Sequence, residues 1–310
     1  MGMKRAAGVK PKRRVIFWLT LILINLAMVG FFLGKIVAAQ SRPIPHSSPA
    51  NQPKPRPVAI YFVPHADDEI LSMSPDIVNR QRMGYEVHLV LMSGGEHSGA
   101  RFVINGFREV TKKGKVVKIP VYCVWHNTYH SALDVNDPDG YYSPKDLARD
   151  RVREFYAAAE QLGIPRDRVH VRSLVNGRFT ERAVRQVYDY FLSRYPHAIF
   201  RTMSRYDYHR DHAFLGQIMR KYELEGKIKP TDTVYFLSIY KSRFTKRRPP
   251  VETVQLKVID PRDRNKILEA ARIYLRWEPS HGWHALGLHS VPHQFESFMK
   301  NIRVEAHFDS

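Results

Sequence analysis

Val58-Ala59-Ile60-Tyr61-Phe62-Val63-Pro64-His65-Ala66-Asp67-Asp68-Glu69 is the stretch on which the fold of this chain turns. Its first half is β-branched and aromatic, which predicts a short buried strand, and Pro64 marks the change from strand to turn. Its second half crowds an imidazole, two adjacent carboxylates and a third acid. Like charges resist ionising side by side, so the cluster is costly unless a cation sits in it. In open α/β sheets ligands bind beyond the carboxyl ends of the strands, where this cluster falls.

A second cluster lies near residue 210. The run Ala198–Met203 has strand composition and leads into Tyr206-Asp207-Tyr208-His209-Arg210-Asp211-His212, followed by a helical pattern over 213–219. His209 and His212 are three apart, so on a helical first turn they share a face. Asp211 suits a helix start and is placed to orient an imidazole. A His and an Asp from one strand end with a His from another give three protein ligands. That set suits zinc and leaves a position for water, the arrangement of a catalytic metal.

Pro64-His65-Ala66-Asp67-Asp68-Glu69 resembles the P-H-P-D-D-E signature of the LmbE-like, or PIG-L, de-N-acetylases, and His209-Arg210-Asp211-His212 resembles their H-P-D-H motif. The resemblance runs over about residues 58–300. Arg151-Val152-Arg153-Glu154, leading to Leu162-Gly163, is similar to the family's middle helix. The resemblance implies that His65, Asp68 and His212 hold the metal, Zn2+ or another divalent transition ion. It implies Asp67 as general base and His209 as the group that stabilises or protonates the tetrahedral intermediate. Ala66 and Arg210 stand where the family has Pro. Neither position supplies a ligand, and the departures bear on loop geometry and rim charge. Asp211, Tyr208, Gly95 and Glu96 are further candidates for supporting or substrate-facing roles.

The 310 residues divide unevenly. The first 56 hold ten Lys or Arg and no acid, leaving 39 basic and 30 acidic residues in the rest. Residues 1–14 form a basic tail. Val15 to Gly34 is a run of twenty residues without a charge, within a predicted membrane anchor over 15–39. At about 1.5 Å per residue that run spans roughly 30 Å, a bilayer's hydrocarbon core. Six cations precede it, which predicts a cytoplasmic N-terminus and an extracytoplasmic domain. The run exceeds a usual signal-peptide core and so favours an uncleaved anchor, although Val37-Ala38-Ala39 also fits a cleavage site. Residues 40–57 are a Pro-rich linker, extended to at most roughly 55 Å at about 3.1 Å per residue. Residues 58–310 then form one domain, large enough to bury its own core. Its basic residues are scattered rather than clustered, which reads as solvated helix faces and turns, and the predicted extracytoplasmic location is the reason nucleic acid is not an expected partner.

Within that domain the pattern alternates strand and helix, which predicts a Rossmann-like, mainly parallel sheet with helices on both faces. Helices are expected over 70–82, 144–162, 180–195 and 263–276. Strands are expected over 86–92, 121–125, 168–171 and 198–203, with a hairpin around Lys112-Lys113-Gly114. Thr233–Tyr240 and Val251–Ile259 are expected to pair antiparallel at one edge. Ser93-Gly94-Gly95-Glu96 lies at the same rim as the first motif, where glycines let a backbone approach substrate. No nucleotide-binding glycine pattern is present.

Cys123 is the only cysteine and is expected to be a buried, inert hydrophobe. His126 and His130 are expected to be loop residues without a metal. His281, His284, His289 and His293, with Trp283 and Phe295, are a candidate floor for a sugar site. Two rival functions remain open: an anchored carbohydrate-binding protein without catalysis, and an H-x-D…H non-haem iron oxygenase using His65 and Asp67. The resemblance instead implies hydrolysis of an N-acetyl group on an N-acetylglucosamine-type sugar. Export argues against the family's intracellular thiol precursors and its cytosolic glycolipid. A cell-wall or surface glycan is therefore the expected substrate.

Overall fold

The computed structural model describes residues 56–135, 140–238 and 251–309. The predicted tail, anchor and most of the linker lie outside the described residues, as do the end of the predicted strand 233–240 and the segment after it through residue 250. Among the described residues no helix is long and apolar enough to cross a membrane. The described residues from 56 onward form one compact unit.

Val58–Val63 is the first strand, β1, followed by a buried π-helical turn, Glu69–Met73, and helix α1, Ser74–Arg82. Then come β2 (Glu86–Leu91), α2 (Ala100–Asn105) and a hairpin of β3 (Phe107–Lys112) and β4 (Lys115–Pro120). Helix α3 (Pro144–Gln161), β5 (Val169–Val171), α4 (Glu181–Arg194), β6 (Ile199–Met203) and α5 (Arg210–Leu224) continue the alternation. β7 (Thr233–Leu237), β8 (Val254–Lys257), α6 (Pro261–Ile273), a small ribbon of β9 (Trp277–Glu278) and β10 (Trp283–His284), α7 (Leu286–Ser290), α8 (Pro292–Lys300) and β11 (Arg303–His307) complete it.

The main sheet has the order β5-β2-β1-β6-β7-β11-β8, with β5 through β7 parallel. Successive residues of β1 serve opposite faces. Ala59, Tyr61 and Val63 pack with Ile77 of α1, Phe155 of α3, Ala270 of α6 and Phe298 of α8. Ile60 and Phe62 pack with Tyr188 of α4 and Leu215 of α5. A parallel strand buried on both faces needs an unbroken apolar run, which is what residues 58–63 provide.

The two predicted edge strands do not pair with each other. β11 lies between them, antiparallel to both, with Ala306 opposite Phe236 on one side and Val254 on the other. Its own pattern, Val304 and Ala306 buried between polar residues, is too short to stand out in the sequence. Residues 121–125 are not a strand either. Only Cys123 forms a bridge, to Thr128, while Tyr122, Val124 and Trp125 are exposed. Alternation without a neighbouring edge leaves this segment a loop.

Two buried features fix the strand ends that carry the motifs. Asp76 of α1 accepts from the Tyr61 hydroxyl (2.7 Å) and from Arg201 Nε of β6 (3.1 Å), tying β1 to β6 beneath the site. Gly216 of α5 lies against the backbone where β6 ends. A Cβ there would stand 2.3 Å from the Arg205 nitrogen and 2.5 Å from the Met203 carbonyl oxygen. Gly216→Ala is therefore expected to cost about 1–3 kcal/mol by overpacking. The neighbouring exposed Gln217→Ala should stay within about 0.5 kcal/mol. Urea unfolding of the two variants checks this.

Candidate active site

β1 is flanked by β2 and β6, and the carboxyl ends of all three open into one crevice. His65, Asp67 and Asp68 follow β1, Gly95 follows β2, Asn176 follows β5, and His209 and His212 follow β6. A cavity of about 270 Å³ is lined by these residues together with Arg151, Ser290 and Val291. A larger hollow of about 550 Å³ sits between Arg149 and Arg166, away from both motifs.

Three ligand-type atoms face one another in this crevice. His65 Nδ1 is 3.4 Å from Asp68 Oδ2, His212 Nε2 is 3.1 Å from the same oxygen, and the two ring nitrogens are 3.3 Å apart. Carboxylates hold the outer side of both rings. Asp211 Oδ2 lies 3.0 Å from His65 Nε2, and Asp207 Oδ2 lies 3.3 Å from His212 Nδ1. His65 Nε2 bonds outward to Asp211 and His212 Nδ1 faces Asp207, and with their protons on those outer nitrogens the inner ones present lone pairs. Two such nitrogens and a carboxylate oxygen in mutual contact call for a proton or a cation between them. Tetrahedral zinc with N and O ligands separates them by roughly 3.3–3.5 Å. The donor set fits such an ion.

The electrostatics follow from the same contacts. Burial pulls the His212 imidazole down, yet Asp68 and Asp207 together push it well above the usual histidine range. Burial pushes the Asp68 carboxyl up, and His212 and His65 outweigh it, holding it well below the carboxylate range. Asp211 is likewise lowered against burial, by His65 and the Gly177 backbone N–H, which donates at 2.7 Å.

Asp67 has a different environment. Its Oδ2 accepts from Arg151 Nη2 at 3.0 Å, and the same guanidinium donates to the Ala66 carbonyl. Burial raises its carboxyl to about 6 against the pull of Arg151. Its backbone has φ 113°, a region that L residues rarely occupy and that costs on the order of 1–3 kcal/mol. Glu69 Oε2 accepts the Asp67 N–H at 3.0 Å, and Tyr274 donates to Glu69 Oε1 at 2.6 Å, so the strained peptide is braced from below. The H-x-D…H alternative needs Asp67 between the imidazoles. Asp68 stands there instead, and Asp67 is held by Arg151.

His209 caps α5, its Nδ1 accepting the Asp211 N–H at 3.2 Å. A neutral ring that accepts at Nδ1 carries its proton on Nε2, which makes it a donor toward the crevice. Burial, then His212 and His65, lower it to about 4, so the ring stays neutral near pH 7. Its ring nitrogen is within 4.8 Å of those of His65 and His212.

Gly95 lines the cavity at φ 71°, where an added Cβ would meet Arg151 Nε at 3.0 Å. Glu96 does not line it. Its Oε1 accepts the Asn176 N–H at 2.8 Å and so positions the loop that holds Asp211. Tyr208 is 71% exposed and stands outside the lining residues. The C-terminal histidines disperse. His281 and His293 are at the surface, His284 is 3.0 Å from Asp150, and Phe295 is in the core. His289 instead meets Cys123, His126 and His130.

Arg151, Asp207 and Asn176 also belong to the site, although the sequence patterns around them give none of the three a role. Arg151 sits about two turns into α3, between the more exposed Arg149 and Arg153, and nothing in its spacing marks it as the buried one. Arg151→Met leaves Asp67 and the Ala66 carbonyl buried without their donor. It should cost roughly 3–5 kcal/mol, against about 1 kcal/mol or less for exposed Arg149→Met. Denaturant unfolding distinguishes the two.

Residues 60–223, more than half of the chain, match the family described as PIG-L: GlcNAc-PI de-N-acetylase. No curated protein matches the chain. Similar solved structures include GalB, the 4-carboxy-2-hydroxymuconate hydratase from Pseudomonas putida KT2440 (15% identity, 82% of this chain and 95% of that one, TM-score 0.48). They also include the zinc-inhibited form of teicoplanin deacetylase Orf2 (12% identity, 82% and 99%, TM-score 0.48). A third is N,N'-diacetylchitobiose deacetylase from Pyrococcus horikoshii (14% identity, 82% and 83%, TM-score 0.47). At such distances these likenesses assign no chemistry to this chain.

Proposed function

We propose that this chain, which belongs to the PIG-L family of GlcNAc-PI de-N-acetylases, is a metal-dependent hydrolase that removes the N-acetyl group from an amino sugar. The observation that carries this reading is the triangle of His65 Nδ1, Asp68 Oδ2 and His212 Nε2, with Asp67 and His209 beside it. The three would hold a divalent ion, zinc by donor type, as the resemblance implies. Such an ion supplies an acidified water and polarises an acyl oxygen.

The remaining work falls to the chain. Asp67, fixed by Arg151 and free of the ligand triangle, takes a proton from the attacking water as it adds to the acetyl carbon. His209, with its proton on Nε2, donates to the oxygen on which negative charge develops. Collapse of the tetrahedral intermediate breaks the C–N bond. The proton held by Asp67, or the one on His209, goes to the departing amine, and acetate is left. The cavity of about 270 Å³ suits a terminal or exposed acetamido group with the rest of the glycan outside it.

We further propose that the domain works outside the cytoplasm on a cell-wall or surface glycan. This rests on the charge-free run 15–34, the six cations ahead of it and the Pro-rich tether. A reporter that is active only after export, fused behind Ser310, should be active. Activity of a cytoplasm-only reporter at the same place would overturn the topology.

The chemistry has its own test. Asp67→Asn retains size but cannot accept a proton. It should keep its metal and lose about 10²-fold or more in kcat. Asp68→Asn should lose metal first, with activity partly restored by added metal. Acetate release from N-acetylated oligosaccharides and metal analysis give both readouts. Metal loss in the Asp67 variant, with a metal-replete but inactive Asp68 variant, would reverse the two roles.

A further inference from the structure

We propose that Cys123, His126, His130 and His289 form a second metal site, a closed structural zinc centre separate from the catalytic crevice. One ligand-type atom from each lies within 4.8 Å of the other three. Three of the separations centre on His126 Nδ1: 3.6 Å to Cys123 Sγ, 3.4 Å to His289 Nε2 and 2.9 Å to His130 Nε2. Zinc with tetrahedral angles and ordinary Zn–S and Zn–N lengths puts S and N roughly 3.6 Å apart, and two N roughly 3.3 Å apart. Two of the three separations match, and the third is a few tenths of an ångström short.

Hydrogen bonding alone does not account for the cluster. His126 Nδ1 faces three partners and has at most one proton to offer. The outer nitrogens of two rings are already engaged: His289 Nδ1 donates to the His284 carbonyl at 2.8 Å, and His130 Nδ1 faces Asp134 Oδ2 at 3.5 Å. That arrangement turns the Nε2 lone pairs of both rings inward, as carbonyl and carboxylate partners do for metal-bound histidines. A cation at the centre satisfies all four atoms together, and on binding it the Cys123 thiol releases its proton to solvent.

The surroundings suit a structural site. Cys123, His130 and His289 are buried. The Trp277 ring covers the cluster, its centroid 4.8, 4.9 and 5.2 Å from those of His126, His130 and His289. Four protein ligands leave no position for water, which separates structural zinc from catalytic zinc. None of the four belongs to the crevice triangle.

The centre would cross-link two distant segments. Cys123, His126 and His130 come from the loop after β4, in C-x2-H-x3-H spacing, and His289 comes from α7. The next residues, Ser290 and Val291, line the catalytic cavity, and Ser290 Oγ is 3.0 Å from Ser98 Oγ on the opposite rim. The zinc would thus pin one wall of the active site to a loop that has little other regular structure.

Metal content and cobalt spectra of the full chain test the assignment. The wild type should carry two equivalents of zinc. Cys123→Ser and His289→Ala should each lose one, and His212→Ala should lose the other. Because Cys123 is the only sulfur of its kind in the chain, cobalt-substituted wild type should show a thiolate-to-cobalt charge-transfer band. That band should persist in His212→Ala. A cobalt-loaded wild type without it would overturn the site, and this result does not depend on any variant folding. Unchanged zinc content in folded Cys123→Ser and His289→Ala would overturn it equally. Loss of the crevice metal alone would count against the proposed hydrolase and leave the second centre standing.

Discussion

The contact on which this domain depends is the meeting of one carboxylate oxygen and two imidazole nitrogens, 3.1–3.4 Å apart, beyond the ends of β1 and β6. Burying such a set is expensive unless positive charge lies among its members, either a proton or a divalent ion. Much of the nearby architecture meets that demand. Asp207 and Asp211 hold the outer nitrogens, the Gly177 N–H and Asn176 hold Asp211, and Glu96 holds the loop that bears them. Each layer fixes the next one inward, so the geometry of the crevice is set in part by residues such as Glu96 and Asp207 that do not line it.

The two adjacent carboxylates show how environment separates identical side chains. Asp68 is surrounded by imidazoles and stays ionised. Asp67, one residue earlier, is turned away by an unusual backbone angle and meets an arginine. Both still line one cavity, and the charge on Asp68 adds to burial in raising the Asp67 carboxyl, against the pull of Arg151. The backbone at residue 67 is held by Glu69 and, behind it, Tyr274.

The central fold was legible because its signals were local. The apolar run 58–63, the turn at Pro64 and the helical patterns over 144–162 and 180–195 all announce themselves locally. Both halves of the crevice were legible for the same reason. What escaped was what distance along the chain conceals. β11 is five residues long and gains its meaning from strands far upstream. Arg151 gains its meaning from Asp67. His289 gains its meaning from a loop some 160 residues earlier, although the C-x2-H-x3-H spacing in that loop was a local hint. The predicted strand at 121–125 had the right alternation but no edge to join, and its single cysteine turned inward to the histidines instead.

The position of β11 has a bearing on biogenesis. This is the last of the seven strands to leave the ribosome, yet it lies in the interior of the sheet, between β7 and β8. Until it arrives, β7 presents an open edge, and β8 has no strand to pair with. Unpaired edges of this kind invite association with other chains. A nascent chain would therefore pass through a stage in which the parallel half of the sheet has formed around β1 while its far side is unfinished. The sheet closes only when the region around residues 303–307 is free to slot in, so the order of synthesis and the order of assembly are coupled at that one strand.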